Sequence, residues 1–192
     1  MKPITGLSTS REARKMRGMM SRLERKYRPR YRKEIARAMA ESARNQDNQI
    51  LQAQAWITHR NNIKKILEAN WNEAAESFGI RILRAAERKE VRNAPLFYRS
   101  MARIIDLIGA RRVTEIAGTT QAQAQNAINE TITEAAESNL GERATAKFLR
   151  DKIKQLSSYR SRVIARTETA TAANTANHQA AKSTGLPLKK KW

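Results

Sequence analysis

The stretch RVIARTETATAANTANHQAAKSTG, Arg162 to Gly185, decides how the chain is built. After Ile164 it has almost no large apolar side chain. Thr167, Thr169, Thr171, Asn174, Thr175 and Asn177 interleave with Ala170, Ala172, Ala173, Ala176 and Ala180. Thr and Asn are indifferent helix formers, so propensity does not account for them. Small side chains do let a neighbouring backbone come close. Arg166 and Glu168 are two residues apart, so on a helix they face differently and cannot pair with each other. Each needs a partner elsewhere in the fold if it is buried, because a buried charge must be paired and hydrogen-bonded. Two readings stand: a solvated polar helix, or a buried polar network that fixes how the next segment docks.

Working back from this helix, Ser157 and Ser158 are candidate caps for its start, and Gly185 ends it. Ala144 to Leu156 reads as a separate helix with Phe148, Leu149, Ile153 and Leu156 apolar. Asn139-Leu140-Gly141 caps a helix over Gln121 to Ser138. Gly118-Thr119-Thr120 reads as the stop of a helix over Leu96 to Ala117, the most apolar stretch. Pro95 breaks the chain before it, and residues 80–92 read as a short basic helix.

Further back, no Gly or Pro occurs between Pro29 and Gly79. One extended or kinked helix is expected there. A weak seam runs through Ala43, Gln46, Ile50, Ala53 and Ile57, and an out-of-phase stripe through Ile63, Leu67, Asn70, Ala74 and Phe78. Trp56 and Trp71 lie along it and are expected to pack in a core or interface. Ser10 precedes a first helix that Pro29 ends, with Met16, Met19, Met20, Leu23 and Tyr27 on one stripe. Leu186-Pro187-Leu188 runs extended into Lys189-Lys190-Lys191-Trp192.

Composition agrees with an all-α fold. The 192 residues include 30 Ala but only three Val, which favours helix over sheet. Leu, Ile, Val and Phe make up 34 residues, 18% of the chain, so the core must be thin. The expected architecture is a set of extended basic N-terminal helices over residues 1–94. A compact C-terminal helical domain follows over 95–192, with a short extended tail.

Charge narrows the function classes. With 38 Lys and Arg against 18 Asp and Glu, the formal charge is +20. Met1 to Arg44 alone carries 14 basic and 4 acidic residues, half of the excess. Such a balance points to a polyanion, most simply nucleic acid, although an acidic protein surface would also serve. The absence of Cys excludes a disulfide framework and a thiolate zinc site. No apolar run spans a membrane, and Met1 to Ser10 lacks the apolar core of a secretory signal. A soluble protein made in a reducing cytosol is expected.

Enzyme chemistry finds little support. The three Asp, Asp47, Asp106 and Asp151, have no second acid at useful spacing. His59 and His178 are far apart and are read as surface residues. No phosphate loop, nucleophile elbow or dinucleotide fingerprint is present. No enzyme activity, cofactor or metal is expected; a nuclease or toxin would need an acid/His constellation that the sequence does not offer.

Ile164-Ala165-Arg166-Thr167-Glu168, then Asn174, Gly185 and Lys191-Trp192, resembles the signature of phage minor head proteins, the head morphogenesis proteins of the Mu F type. Gly141-Glu142-Arg143 before an amphipathic helix fits the same layout. The likeness covers roughly Leu96 to Trp192. It implies a virion component at the portal vertex or inner capsid, acting in head morphogenesis and in DNA packaging or ejection. Its partners would be the portal protein, double-stranded DNA, and the major capsid or scaffolding protein. Its place would be the head interior, with the host cytoplasm during assembly and no membrane in the finished head. Ala165, Arg166, Thr167, Glu168, Asn174, Gly185, Lys191 and Trp192 carry over as structural motif positions. In the family the Lys-Trp leads into a segment with Asp, Arg and His, whose roles do not carry over to residues ending at Trp192.

On this reading the basic N-terminal helices meet packaged DNA or portal surface. The candidate phosphate contacts are Arg11, Arg14, Lys15, Arg17, Arg22, Arg25, Lys26, Arg28, Arg30, Arg32 and Lys33. A free-standing, nonspecific DNA-binding helical protein would use the same residues. No helix-turn-helix or half-site logic supports that second reading, and it leaves the C-terminal signature unexplained.

Overall fold

A computed structural model describes residues 10–86 and 93–185. All regular structure among them is helical. Helix α1 spans Ser10–Arg44 and α2 spans Gln49–Ala74. A π-helical turn, Ala75–Gly79, passes directly into α3, Ile80–Ala86. Helix α4 spans Ala94–Glu137 and α5 spans Glu142–Ser183.

Side-chain pairs fix the directions. Gln52 meets Ser42 and Asn62 meets Glu34, so α1 and α2 run antiparallel. Arg60 meets Thr114 and Tyr98 meets Glu76, so α4 runs antiparallel to α2. Lys152 meets Glu130 and Arg112 meets Glu168, which sets α5 antiparallel to α4. The result is an up-down-up-down arrangement of four rods, with α2, the π turn and α3 making one rod.

Local chemistry explains where the chain turns and where it does not. Pro29 does not end α1. It sits on the exposed side, and the buried Leu23, Tyr27, Tyr31 and Ile35 on the opposite side hold the helix through it. A proline inside a helix costs about 3 kcal/mol in isolation, which this burial offsets. The long helix expected from Pro29 to Gly79 is instead broken at residues 45–48. That run, Asn45-Gln46-Asp47-Asn48, has no Gly or Pro but is rich in side chains that compete for backbone groups. The Asn48 carbonyl oxygen Oδ1 accepts from Leu51 N at 3.0 Å and caps α2. The seam through Ala43, Gln46 and Ile50 is therefore interrupted, and Ile50, Ala53 and Ile57 are exposed. The other stripe, from Ile63 to Phe78, is buried throughout.

Two further expected stops are absent. Helix α4 runs through Gly118, because Thr119 and Thr120 donate back to the carbonyls of Glu115 and Ile116, both at 2.7 Å, rather than capping a new helix. Helix α5 runs through Ser157 and Ser158, and Ser157 Oγ donates to Lys154 O at 3.1 Å. The Asn139-Leu140-Gly141 turn is where the sequence places it. Asn139 takes φ 50°, and Leu140 N reaches Ala135 O at 2.9 Å. Gly185, at φ 67°, ends α5.

One apolar cluster runs through all four rods, from Leu23 to Ala180. Residues on both sides of position 94 belong to it. Helix α1 is thus packed along α5 rather than extended away from the C-terminal half. Ala165, Ala172, Ala173, Ala176 and Ala180 line the buried side of α5, and the bulk comes from Tyr31, Trp71, Phe78 and Phe97 on the other rods. Trp56 and Trp71 are both buried, as the packing reading of these residues requires. No described helix is long and apolar enough to cross a membrane. The tail from Leu186 to Trp192, and residues 87–92 of the short basic helix, lie outside the described residues.

Candidate functional site

Helix α1 presents two opposite faces. Its apolar side, with Leu23, Tyr27, Tyr31, Ile35, Ala38 and Met39, enters the core. On the other side Arg14, Lys15, Arg17, Arg22, Arg25, Lys26, Arg30, Arg32 and Lys33 are exposed, and Arg28 is half-buried. From Arg14 to Lys33 this face runs for about 29 Å at 1.5 Å per residue. That matches about eight base pairs of duplex.

The basic residues are not equivalent. Lys26 Nζ is held by Glu73 Oε2 at 2.6 Å, and Tyr27 Oη donates to the same oxygen at 2.7 Å. Burial raises the Glu73 carboxyl, but the hydrogen bonds from Lys26 and Tyr27 outweigh it and hold Glu73 below its ordinary value. Burial and the Glu73 contact push the Tyr27 phenol above its ordinary range. Arg30 lies over the Tyr27 ring, 5.1 Å from its centroid. Arg25 Nε donates to Ser21 O at 3.3 Å. Arg17, Arg22, Arg25, Arg32 and Lys33 form no ion pair with any described residue. Lys26 therefore belongs to the scaffold, while its neighbours remain open to an anion. Arg11, Lys191 and Trp192 fall outside the residues whose side chains are described.

The motif residues of α5 divide by face. Ala165 and Glu168, three apart, point inward and are fully buried. Arg166, Thr167 and Asn174 point to solvent and form no hydrogen bond or ion pair with a described residue. The buried network expected for this helix thus includes Glu168 but not Arg166, Thr167 or Asn174. Glu168 Oε1 accepts from Arg112 Nε at 3.1 Å and from Arg112 Nη2, while Oε2 accepts from Trp71 Nε1 at 3.3 Å. Arg112 also donates to Glu115 Oε2 at 2.5 Å. The hydrogen bonds to Glu168 raise the Arg112 guanidinium above its ordinary value. Next to Glu168, Thr169 Oγ1 donates to Asn70 Oδ1 at 3.4 Å. One carboxylate therefore joins α2, α4 and α5.

A second buried carboxylate joins α1 to α2. Glu34 is reached by His59 Nδ1 at 3.1 Å, Asn62 Nδ2 at 3.1 Å and Arg37 Nη2 at 2.6 Å. Arg37 also donates to Glu41 Oε2 at 2.5 Å. Burial raises the Glu34 carboxyl, but the hydrogen bonds from His59 and Arg37 overcome it and hold the group below its ordinary range. His59 is completely buried, with the Trp56 ring edge-on at 5.6 Å, so it is not the surface histidine that the sequence suggested. His178 is exposed.

Arg112 and Glu34 were not legible as partners in the sequence. Arg112 is one of an Arg-Arg pair on an otherwise ordinary helix, and Glu34 is one of four acids in a basic segment. The one available signal was a carboxylate, Glu168, set in a small-residue stripe that had no local counter-charge. Among the described residues no group of three His, Cys, Asp or Glu side chains is placed to hold a metal ion. No family model, no curated protein and no solved structure matches this chain.

Proposed function

We propose that this protein is a minor structural component of a tailed-phage head that binds double-stranded DNA through the exposed face of α1 and docks at the portal vertex or inner capsid. The observation that carries the DNA contact is the division of α1. A buried apolar stripe fixes the helix, and the opposite side holds basic residues over about 29 Å with few local counter-charges. Such a face neutralises phosphates in any sequence, so its binding is nonspecific and strongly dependent on salt.

The portal and head assignment is supported by the resemblance at Ala165-Arg166-Thr167-Glu168, Asn174 and Gly185. In this chain the first and last residues of the Ala-Arg-Thr-Glu run are internal, and Arg166, Thr167 and Asn174 are on the surface, available to a partner. Acting in packaging or ejection follows from that place in the virion.

The test has two parts. DNA affinity is measured across a salt series for the wild type and for the Arg17→Gln, Arg22→Gln, Arg25→Gln and Arg32→Gln combination. Substitution is preferred to deletion of α1, whose aromatic residues belong to the core. Portal capture is then measured at low and high salt. Portal capture that survives high salt supports the head assignment. DNA binding without portal capture favours the free-standing DNA-binding protein. Unchanged affinity and salt slope in the combined variant would remove α1 as the DNA face.

A further inference from the structure

The rods differ in length, and the difference leaves one pair uncovered. Arg60 on Thr114 (2.5 Å), Tyr98 on Glu76 (2.7 Å) and Lys152 on Glu130 (3.2 Å) fix the register of α2, α4 and α5. On that register the α1–α2 turn at residues 45–48 comes level with Asn126 of α4 and Leu156 of α5. Past this level α4 and α5 continue alone as a hairpin of about 12 residues per arm, roughly 18 Å long.

The inner side of this hairpin is packed, with Ile128, Thr131 and Ile153 buried. Its outer side is not. Ile132 is 52% exposed, and Leu140, at the tip, is 39% exposed. At the foot of the hairpin, the start of α2 leaves Ile50 72% and Leu51 44% exposed. Four large apolar side chains are therefore in water at one end of the molecule, where the helices lack the covering layer that an apolar face requires.

Charge divides between the two arms. Past Asn126 the α4 arm carries Glu130, Glu134 and Glu137 and no Lys or Arg. Over the same length the α5 arm carries Arg143, Lys147, Arg150, Lys152 and Lys154 against Glu142 and Asp151. Lys152 answers Glu130 and Glu134 within the chain, at 3.2 and 3.6 Å. Glu137, Arg143 and Lys147 form no ion pair with a described residue. An acidic arm beside a basic arm is self-complementary under a two-fold axis, where each surface meets its opposite in the other copy.

We propose that the chain pairs with a second copy of itself through this hairpin. The two hairpins lie antiparallel, each Leu140 tip against Ile50 and Leu51 at the foot of the other, with each acidic α4 arm facing a basic α5 arm. One hairpin length sets both tip-to-foot distances, so both ends engage together. The exposed basic residues of α1, from Arg14 to Lys33, lie farther along the bundle and are not covered. The pairing is therefore independent of the DNA reading, and either can fail alone.

The sequence has no Cys, which makes cross-linking clean. Full-length Leu140→Cys and Ile50→Cys variants, both at exposed positions, are mixed and treated with a short bis-maleimide. A covalent dimer is expected between them, in clear excess over the pairing of Leu140→Cys with Arg22→Cys. Light scattering from about 1 to about 100 μM, where weak protein pairs dissociate, should show a monomer–dimer shift. Glu134→Lys with Glu137→Lys in one variant, and Arg143→Glu with Lys147→Glu in another, should each leave a helical monomer. Mixing the two should restore the dimer. A monomer mass at every concentration, equal cross-linking of the two cysteine pairs, or dimers in each charge variant alone would overturn the proposal.

Discussion

Arg112 of α4 and Glu168 of α5, 56 residues apart in sequence, share an ion pair whose carboxylate is sealed from solvent. Trp71 of α2 takes the other carboxylate oxygen. Both oxygens are therefore hydrogen-bonded, as a buried polar group requires. Three rods are tied at one point, and the surrounding seam is alanine. Ala165, Ala172 and Ala176 are fully buried on the same side of α5, so the polar tie joins the rods where small side chains let them come close.

Removing that tie is expected to be costly. Glu168→Ala leaves Trp71 Nε1 and the Nε and Nη2 of Arg112 without their acceptor, while Arg112 Nη1 keeps Glu115. Breaking one side of a buried pair costs about 3–5 kcal/mol, and the low end applies because the Arg112 side chain still reaches water. Chemical denaturation should show a loss of about 3 kcal/mol, with DNA affinity per folded molecule unchanged. Arg166→Ala, two residues away but on the solvent face, should stay within about 0.5 kcal/mol of wild type. Equal effects of the two substitutions would mean that the Arg112 pair has no stabilising role.

Gly79 closes the π turn directly against the Phe97 ring. A Cβ built at position 79 would stand 2.1 Å from Phe97 Cζ, and Phe97 is fully buried, so the ring has nowhere to retreat. Gly79→Ala is expected to destabilise by about 1–3 kcal/mol through overpacking. Phe97→Leu in the same chain should recover part of the loss, although Phe97→Leu alone lowers stability. Thermal melts of the two single variants and the double variant measure the coupling. Additive losses would show that the ring contact is not the cause.

The chain should lose stability in acid through Glu34 and Glu73. In both, burial raises the carboxyl but is outweighed, at Glu34 by hydrogen bonds from His59 and Arg37, and at Glu73 by hydrogen bonds from Lys26 and Tyr27. Both are held below their ordinary value of 4.5. The unfolded chain therefore binds more protons than the folded one around and below that value, and stability rises with pH there. This contribution is complete above the unfolded value and is lost as pH falls through the lower folded values. Glu34→Gln and Glu73→Gln should each flatten the acid limb of a stability–pH curve, whatever they do at neutral pH. A limb of unchanged slope in both would place the acid sensitivity elsewhere.

How far the sequence could be read depends on whether a signal was local. Helix content, the Asn139 turn and the Gly185 stop rest on side chains acting within a few residues, and they stand where they were expected. The breaks expected at Pro29, Gly118 and Ser157 failed because tertiary packing and hydroxyl-to-carbonyl bonds outweighed local preference. The turn at Asn45 to Asn48 carries no Gly or Pro, so its only mark was a cluster of competing polar side chains. Glu168 was visible as a charge in need of a partner, but the identity of that partner depends on how α4 lies against α5, which no local pattern contains. The same holds for Lys26, whose retirement into an ion pair depends on Glu73 in the next rod.

That difference between Lys26 and its neighbours separates scaffold from DNA contact. If α1 meets duplex DNA, each basic residue that neutralises a phosphate contributes about 0.9 to the slope of log affinity against log salt. The combination of Arg17→Gln, Arg22→Gln, Arg25→Gln and Arg32→Gln should lower the slope by up to about 3.6, and weaken binding alike across unrelated DNA sequences. Lys26→Gln loses its ion pair with Glu73, so it should lower thermal stability slightly and leave the salt slope in place. A drop of about one in slope from Lys26→Gln alone would mean that DNA draws Lys26 away from Glu73. A sequence-dependent loss in the combined variant would mean that the face reads bases as well as phosphates.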